Sequence, residues 1–218
     1  MAWTTPSTVV AGQTLSAAFW NEQVRDNAFM GRAVYANEAA RDAAIPSPEE
    51  GMICYLTAPT IPAATGETTF VPSGITTIYN GSAWVCVTPV GAFTSNFATT
   101  TSSSFTPTLS GTPGINPSVT LVTGTTALVQ TKTSAEGNTL NSYPEISVAV
   151  SGASTIGANV EWGTIHRVSL AGSYPQQHAG TVIISGLTAG TNTFTMQYRI
   201  DTGTLNCGRR TLTVQGIA

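Results

Sequence analysis

The stretch NTFTMQYRI, Asn192–Ile200, alternates with a period of two. Phe194, Met196, Tyr198 and Ile200 fall on one side, and Thr195, Gln197 and Arg199 on the other. Successive side chains of an extended strand point to opposite faces, so this pattern requires a strand with one face on a core and the other in water. The runs PSVTLV, TALVQTKT, PEISVAVSG, VEWGTIHRVSL, GTVIISGL and RRTLTVQGI accompany it, separated by turn signals such as Ala189-Gly190 and Thr202-Gly203. Short strands at this spacing, with no long helix among them, predict an antiparallel β-sandwich of jelly-roll type over 96–218. No period that would mark a solenoid is visible.

The first 95 residues read as a separate, smaller unit, so the fold class is mainly β with a short helical segment at its start. RAVYAN (Arg32–Asn37) alternates like a short strand, EAARDAAI (Glu38–Ile45) reads as one or two helical turns, and MICYL (Met52–Leu56) as a strand. In TTIYNGSAWVCV (Thr76–Val87) two β-type runs flank Asn80-Gly81, the preferred pair for a two-residue type I′ hairpin turn. The Pro- and Gly-rich segment between Leu56 and Thr76 reads as a loop. Gly91–Gly114 is a Thr/Ser-rich run, a linker or a neutral edge strand, and places a domain boundary near residue 95.

Residues 1–13 read as an extended arm ahead of a helix from Leu15 to Met30, with Thr14 or Ser16 as its N-cap and Gly31 closing it. The helix carries two apolar stripes: Leu15, Phe19, Phe29 and Met30 on one side, and Ala17, Trp20, Val24 and Ala28 on the other. A helix apolar on two sides is sandwiched between elements, either of its own chain or of neighbouring subunits.

Charged residues make up 9% of the chain, and between Thr68 and Thr131 there is no Asp, Glu, Lys, Arg or His. An ordinary domain carries about a quarter. Neutral Thr- and Ser-rich surfaces of this kind suit sheets that stack or trimerise without charge repulsion. The net charge of −3 and a single lysine, Lys132, argue against a nucleic-acid footprint. No apolar run is long enough for a membrane-spanning helix. No basic n-region and apolar h-region open the chain, which points to synthesis in a cytosol.

The segment from Trp3 to Asn27, with Trp3, Pro6, Gly12, Asn21, Arg25, Asp26 and Asn27, resembles the start of tailed-bacteriophage virion proteins, minor tail proteins above all. The following block, with Gly81 and Trp84 in a Gly-x-x-Trp hairpin end, is similar to a small module of phage tail and fibre proteins. The resemblance covers roughly residues 1–88. It implies a structural protein of the virion, made in the host cytoplasm, attached to other virion proteins through its N-terminus and displaying the sandwich outward as a homotrimer that touches the host surface. Trp3, Leu15, Phe19, Trp20, Val24, Arg25 and Asp26 are then the attachment and assembly residues. A head fibre or capsid decoration protein is the alternative station, and a glycan-cleaving tailspike a third reading.

The chain offers little catalytic equipment, and no enzyme activity, cofactor or metal is expected. His166, His178 and the three cysteines are scattered, without metal-ligand spacing. GASTIG (Gly152–Gly157) lacks the final glycine of a nucleophile elbow, and adjacent Glu49 and Glu50 sit in a Pro/Gly turn. Glycan binding needs aromatic faces with polar rims. Tyr143, Trp162, His166 and Tyr174 are candidate receptor contacts because they lie in or beside expected loops; the competing reading makes Trp162 a core residue of a strand. Cys54, Cys86 and Cys207 read as small buried hydrophobes, with a Cys54–Cys86 cross-strand disulfide left open.

Overall fold

A computed structural model describes residues 33–168 and 175–218. The expected helix over 15–30 lies outside these residues, as do Trp3, Leu15, Phe19, Trp20, Val24, Arg25, Asp26 and Tyr174. The described chain is mainly β: a small sheet, then an antiparallel sandwich. None of its helices is long and apolar enough to cross a membrane.

The small sheet begins with β1 (Ala33–Tyr35), followed by helix α1 (Glu38–Ala44). Asn37 caps the helix: its Oδ1 accepts from the Ala40 N–H at 3.0 Å, satisfying a donor that has no partner in the first turn. The helix carries the chain back so that β2 (Ile53–Leu56) pairs in parallel with β1. The segment expected as a loop after Leu56 contains two three-residue strands, β3 (Ala63–Thr65) and β4 (Thr68–Phe70), both of which join the sandwich.

β5 (Ile75–Tyr79) and β6 (Trp84–Cys86) form the expected hairpin and complete the order β1-β2-β5-β6. Its turn differs from expectation. The last pair is Tyr79 with Trp84, so the loop is Asn80–Ala83 and not a two-residue turn at Asn80-Gly81. Asn80 Oδ1 accepts from the Ser82 and Ala83 N–H groups at 3.1 and 2.9 Å, an Asx-type closure that competes with the tighter turn. Gly81 takes φ +86°, which a side chain would disfavour.

Ile45, Cys54 and Trp84 form the small core, and the Arg41 guanidinium lies 4.7 Å from the Trp84 ring centre. Cys54 and Cys86 both pair with Thr77, one on each side of β5. Two strand spacings separate their Cα atoms by about 10 Å, beyond disulfide reach of about 7 Å, and all three cysteines are free and buried.

The sandwich adds β7 (Val90–Thr94), β8 (Ala98–Thr100), β9 (Ser110–Gly111), β10 (Ser118–Thr123), β11 (Thr126–Gly137) and β12 (Pro144–Gly152). It ends with β13 (Thr164–Ile165), β14 (Gln176–Ser185), β15 (Gly190–Ile200) and β16 (Leu205–Ile217). The first sheet runs β13-β12-β15-β10-β3 and the second β14-β11-β16-β7-β4, with β8 and β9 continuing from β16. β7 and β8 lie on either side of residue 95, and both pair with β16, so hydrogen bonding runs across the boundary expected there. The Thr/Ser-rich run is not a linker: most of β7, all of β8 and β9 come from it.

The inner faces follow the sequence alternation. Phe194, Met196, Tyr198 and Ile200 are fully buried and face one core with Val148, Val129, Leu212 and Val214. Each such side chain contributes about 1.5–3 kcal/mol of burial. In β16 the inward set changes parity, from Leu205 and Cys207 to Arg210, Leu212 and Val214. The cause is a bulge: β11 pairs Lys132 with Thr211 but Ser134 with Gly208, leaving Arg209 as the extra residue at φ +48°.

Within VEWGTIHRVSL, expected as a full strand, the described residues 160–168 hold a 3-10 turn at Val160–Trp162 and the two-residue β13. Asn159 Oδ1 accepts from the Trp162 N–H at 3.1 Å and favours the turn.

Candidate functional site

The outer face of the second sheet carries a broad polar surface. Across its strands the register aligns Thr181, Gln130, Thr213, Gly91 and Phe70 in one row. The next row is Ala179, Lys132, Thr211, Phe93 and Thr68. Five strands at their usual spacing make each row about 19 Å long. Gln130, Lys132, Ala179 and Thr181 are exposed, Thr211 and Thr213 half-buried. Because Ala179, Gly180 and the threonines are short, a depression of about 310 Å³ opens between them, with Gln130 and Lys132 also lining it.

One end of the first row is aromatic. Phe70 is 55% exposed, and its ring rests on Gly91. A Cβ at Gly91 would stand 3.4 Å from the Phe70 ring, 3.1 Å from Thr213 Oγ1 and 3.0 Å from the Leu212 carbonyl, so glycine is what lets ring and threonine close together. The arrangement offers hydroxyls and an amide that both donate and accept, one ammonium, and a phenyl face.

The electrostatics of this sheet are one-sided. β4, β7, β14 and β16 contain no acid, and β11 contains one, Glu136. Its Oε1 accepts from Asn206 Nδ2 at 2.9 Å. Among the described residues no ion pair includes Lys132.

Of the candidate receptor contacts, the described ones, Tyr143, Trp162 and His166, lie elsewhere, toward the lateral edge where β13 of the first sheet approaches β14 of the second. Trp162 is half-buried and packs against the core, in keeping with its reading as a core side chain although the strand is absent. Tyr143 is 37% exposed, and its N–H donates to Asp201 Oδ1 at 2.6 Å. The His166 N–H donates to the Pro144 carbonyl at 3.1 Å. Its ring lies 4.7 Å from that of His178, a partner 12 residues away along the chain. His178 Nε2 and Thr164 Oγ1 are buried without a hydrogen-bond partner. Burial, and next the neighbouring His166, hold His178 below the usual imidazole range, while the Ala135 backbone pulls the other way.

Other titratable groups serve the fold. Glu145 pairs with Arg199 at 2.9 Å, and Asp201 accepts the Thr202 N–H at 2.9 Å. Burial pushes the Cys54 and Cys86 thiols up to about 11 and Cys207 to about 12, so they stay protonated at neutral pH. Among the described residues no group of three or more His, Cys, Asp or Glu could hold a metal ion.

Sequence reasoning did not single out Phe70, Phe93, Gln130, Thr211, Thr213 or His178. A signal was present for part of the face: Leu128, Gln130 and Lys132 share one parity in TALVQTKT, and Thr211, Thr213 and Gln215 share one in RRTLTVQGI. Their alignment needed the strand order.

No protein-family model matches the chain, and no curated protein matches it. Distant likenesses exist among solved structures. The Eiger TNF of S. frugiperda aligns at TM-score 0.38 with 10% identity over 60% of this chain and 92% of that one. TmCBM61, solved in complex with β-1,4-galactotriose, aligns at TM-score 0.28 with 10% identity over 57% of this chain and 68% of that one. A CBM4 structure aligns at TM-score 0.29 with 8% identity over 58% of this chain and 71% of that one.

Proposed function

We propose that this is a structural, non-enzymatic protein of a phage virion, a minor tail or fibre component attached through its N-terminal segment. Its sandwich is a binding module that takes saccharide of the host surface on the outer face of the second sheet. The carrying observation is the 310 Å³ depression lined by Gln130, Lys132, Thr181, Thr211 and Thr213, in register with the exposed Phe70 ring. Sugar rings present hydroxyls to polar side chains and an apolar face to an aromatic one, and both partners are here on rigid strands. The N-terminal resemblance supports the station on the particle, and the weakly charged surface supports assembly as a homotrimer.

The test is adsorption. Phe70→Ala combined with Thr213→Ala, both outside the core, should leave particle incorporation unchanged and reduce adsorption to host cells at least about ten-fold, the effect of two modest contacts. Unchanged adsorption by fully incorporated variant particles would sink the binding role. A head fibre or capsid decoration protein is the second station, and electron microscopy of labelled particles separates the two.

A further inference from the structure

We infer that the saccharide held on this face is acidic, a chain with carboxylate groups lying across the strands, with a carboxylate against Lys132 and a ring face on Phe70. This rests on the saccharide reading of the same face and names its ligand class. Lys132 is the single lysine of the chain and stands exposed in the depression. Four of the five strands carry no acid, and the one carboxylate on β11, Glu136, is held by Asn206. A protein of net charge −3 thus presents an ammonium with no ion pair among the described residues in a groove lined by threonines and Gln130. The groups around it, Gln130, Thr181, Thr211 and Thr213, bring hydroxyl and amide donors that suit carboxylate and hydroxyl oxygens.

The direction follows from the rows. Along the strands in one direction the next row is Ile183, 60% exposed, with Leu128 and Gln215; in the other, exposed Gln177, paired with Ser134, continues the polar surface. Across the strands, polar side chains continue from Thr181 to Thr213 and meet Phe70. A chain laid across the strands keeps the polar contacts and the Phe70 ring together, whereas one laid along them leaves Phe70 and, on one side, runs onto exposed Ile183.

The experiment measures binding of oligogalacturonate and oligosialate to the full chain, each beside its methyl-esterified form, which keeps the sugar and removes the charge. At least one acid form should bind about ten-fold more tightly than its ester, the worth of one charge-assisted hydrogen bond. Lys132→Ala should bring the acid-to-ester binding ratio to about one, and Phe70→Ala should weaken both forms while keeping the ratio. Equal binding of acid and ester overturns the acidic ligand and leaves the saccharide reading standing. Failure of all four probes overturns both. If Lys132→Ala shifts the sedimentation coefficient instead of the binding ratio, the face is an interface between copies and the inference fails.

Discussion

In the small sheet the buried arginine, Arg41, lies 4.7 Å from the Trp84 ring and pairs with Asp42 at 2.8 Å, a carboxylate that is 58% exposed. In the sandwich the buried arginine, Arg210, lies 5.6 Å from the Tyr198 ring and has no ion pair among the described residues. Its Nη2 donates to the Pro113 carbonyl, while Nε and Nη1 are buried without partners. Ser95, and more weakly Arg210, hold the Glu67 carboxyl below the usual range, but Glu67 stays at the surface. The contrast is one of scale. A core of Ile45, Cys54 and Trp84 needs its guanidinium compensated, because a buried unpaired charge costs several kcal/mol. The large core joins both sandwich sheets, together with Leu56, Ile75 and Cys86 of the small sheet, through many fully buried side chains and tolerates the same cost.

Removing Trp84 attacks the small side of this contrast most strongly. Trp84→Ala should destabilise the small sheet by about 3–5 kcal/mol. Hydrogen exchange should then accelerate in β2, β5 and β6 but not in β11, β15 and β16. Uniform acceleration would show that the two regions unfold as one and remove the contrast.

The arginines should respond with opposite signs. Arg210→Met, which fills the space without a charge, should leave stability unchanged or raise it by about 1–4 kcal/mol. Arg41→Met should lower it by about 1–2 kcal/mol through loss of the Trp84 stack and the Asp42 pair. Urea midpoints at constant m-value measure both. A loss in both variants would mean that Arg210 is compensated after all.

Burial of His178, with His166 beside it, adds a pH dependence to the sandwich edge. Folded His178 lies below its unfolded value of about 6.5, so the unfolded state binds more protons in that window. Stability is fully present above about pH 6.5 and falls as pH drops from there through the folded value. His178→Phe should flatten the denaturation midpoint between pH 7 and 5; an unchanged slope would assign it to the carboxylates. The smallest effect expected is at the bulge, where Arg209→Gly relieves a left-handed non-glycine residue and should gain up to about 1 kcal/mol.

The long strands were legible because alternation survives in them. Asn192–Ile200 keeps the inward set read from its letters, with Thr193, Thr195 and Arg199 half-buried and Gln197 buried on the other face, and β11 and most of β16 alternate likewise. The three-residue strands β3 and β4 were not, because so short a run has no period of its own and is extended only by docking on an existing edge. Trp162 was misplaced on a strand because the Asn159 cap is a local competitor that hydrophobic pattern does not weigh. The face of the second sheet depends on which strands become neighbours. Thr181 and Phe70 share a row although 111 residues separate them, so spacing along the chain carried no trace of it.

β3 and β4 also decide how force would travel. They leave the small sheet as one excursion and pair with opposite halves of the sandwich, β3 with β10 and β4 with β7. A tether with a single strap would let the sandwich swing like a flag. Two short straps on opposing layers act as a yoke: a load entering through the small sheet is divided between the layers, and torsion of one region against the other is resisted.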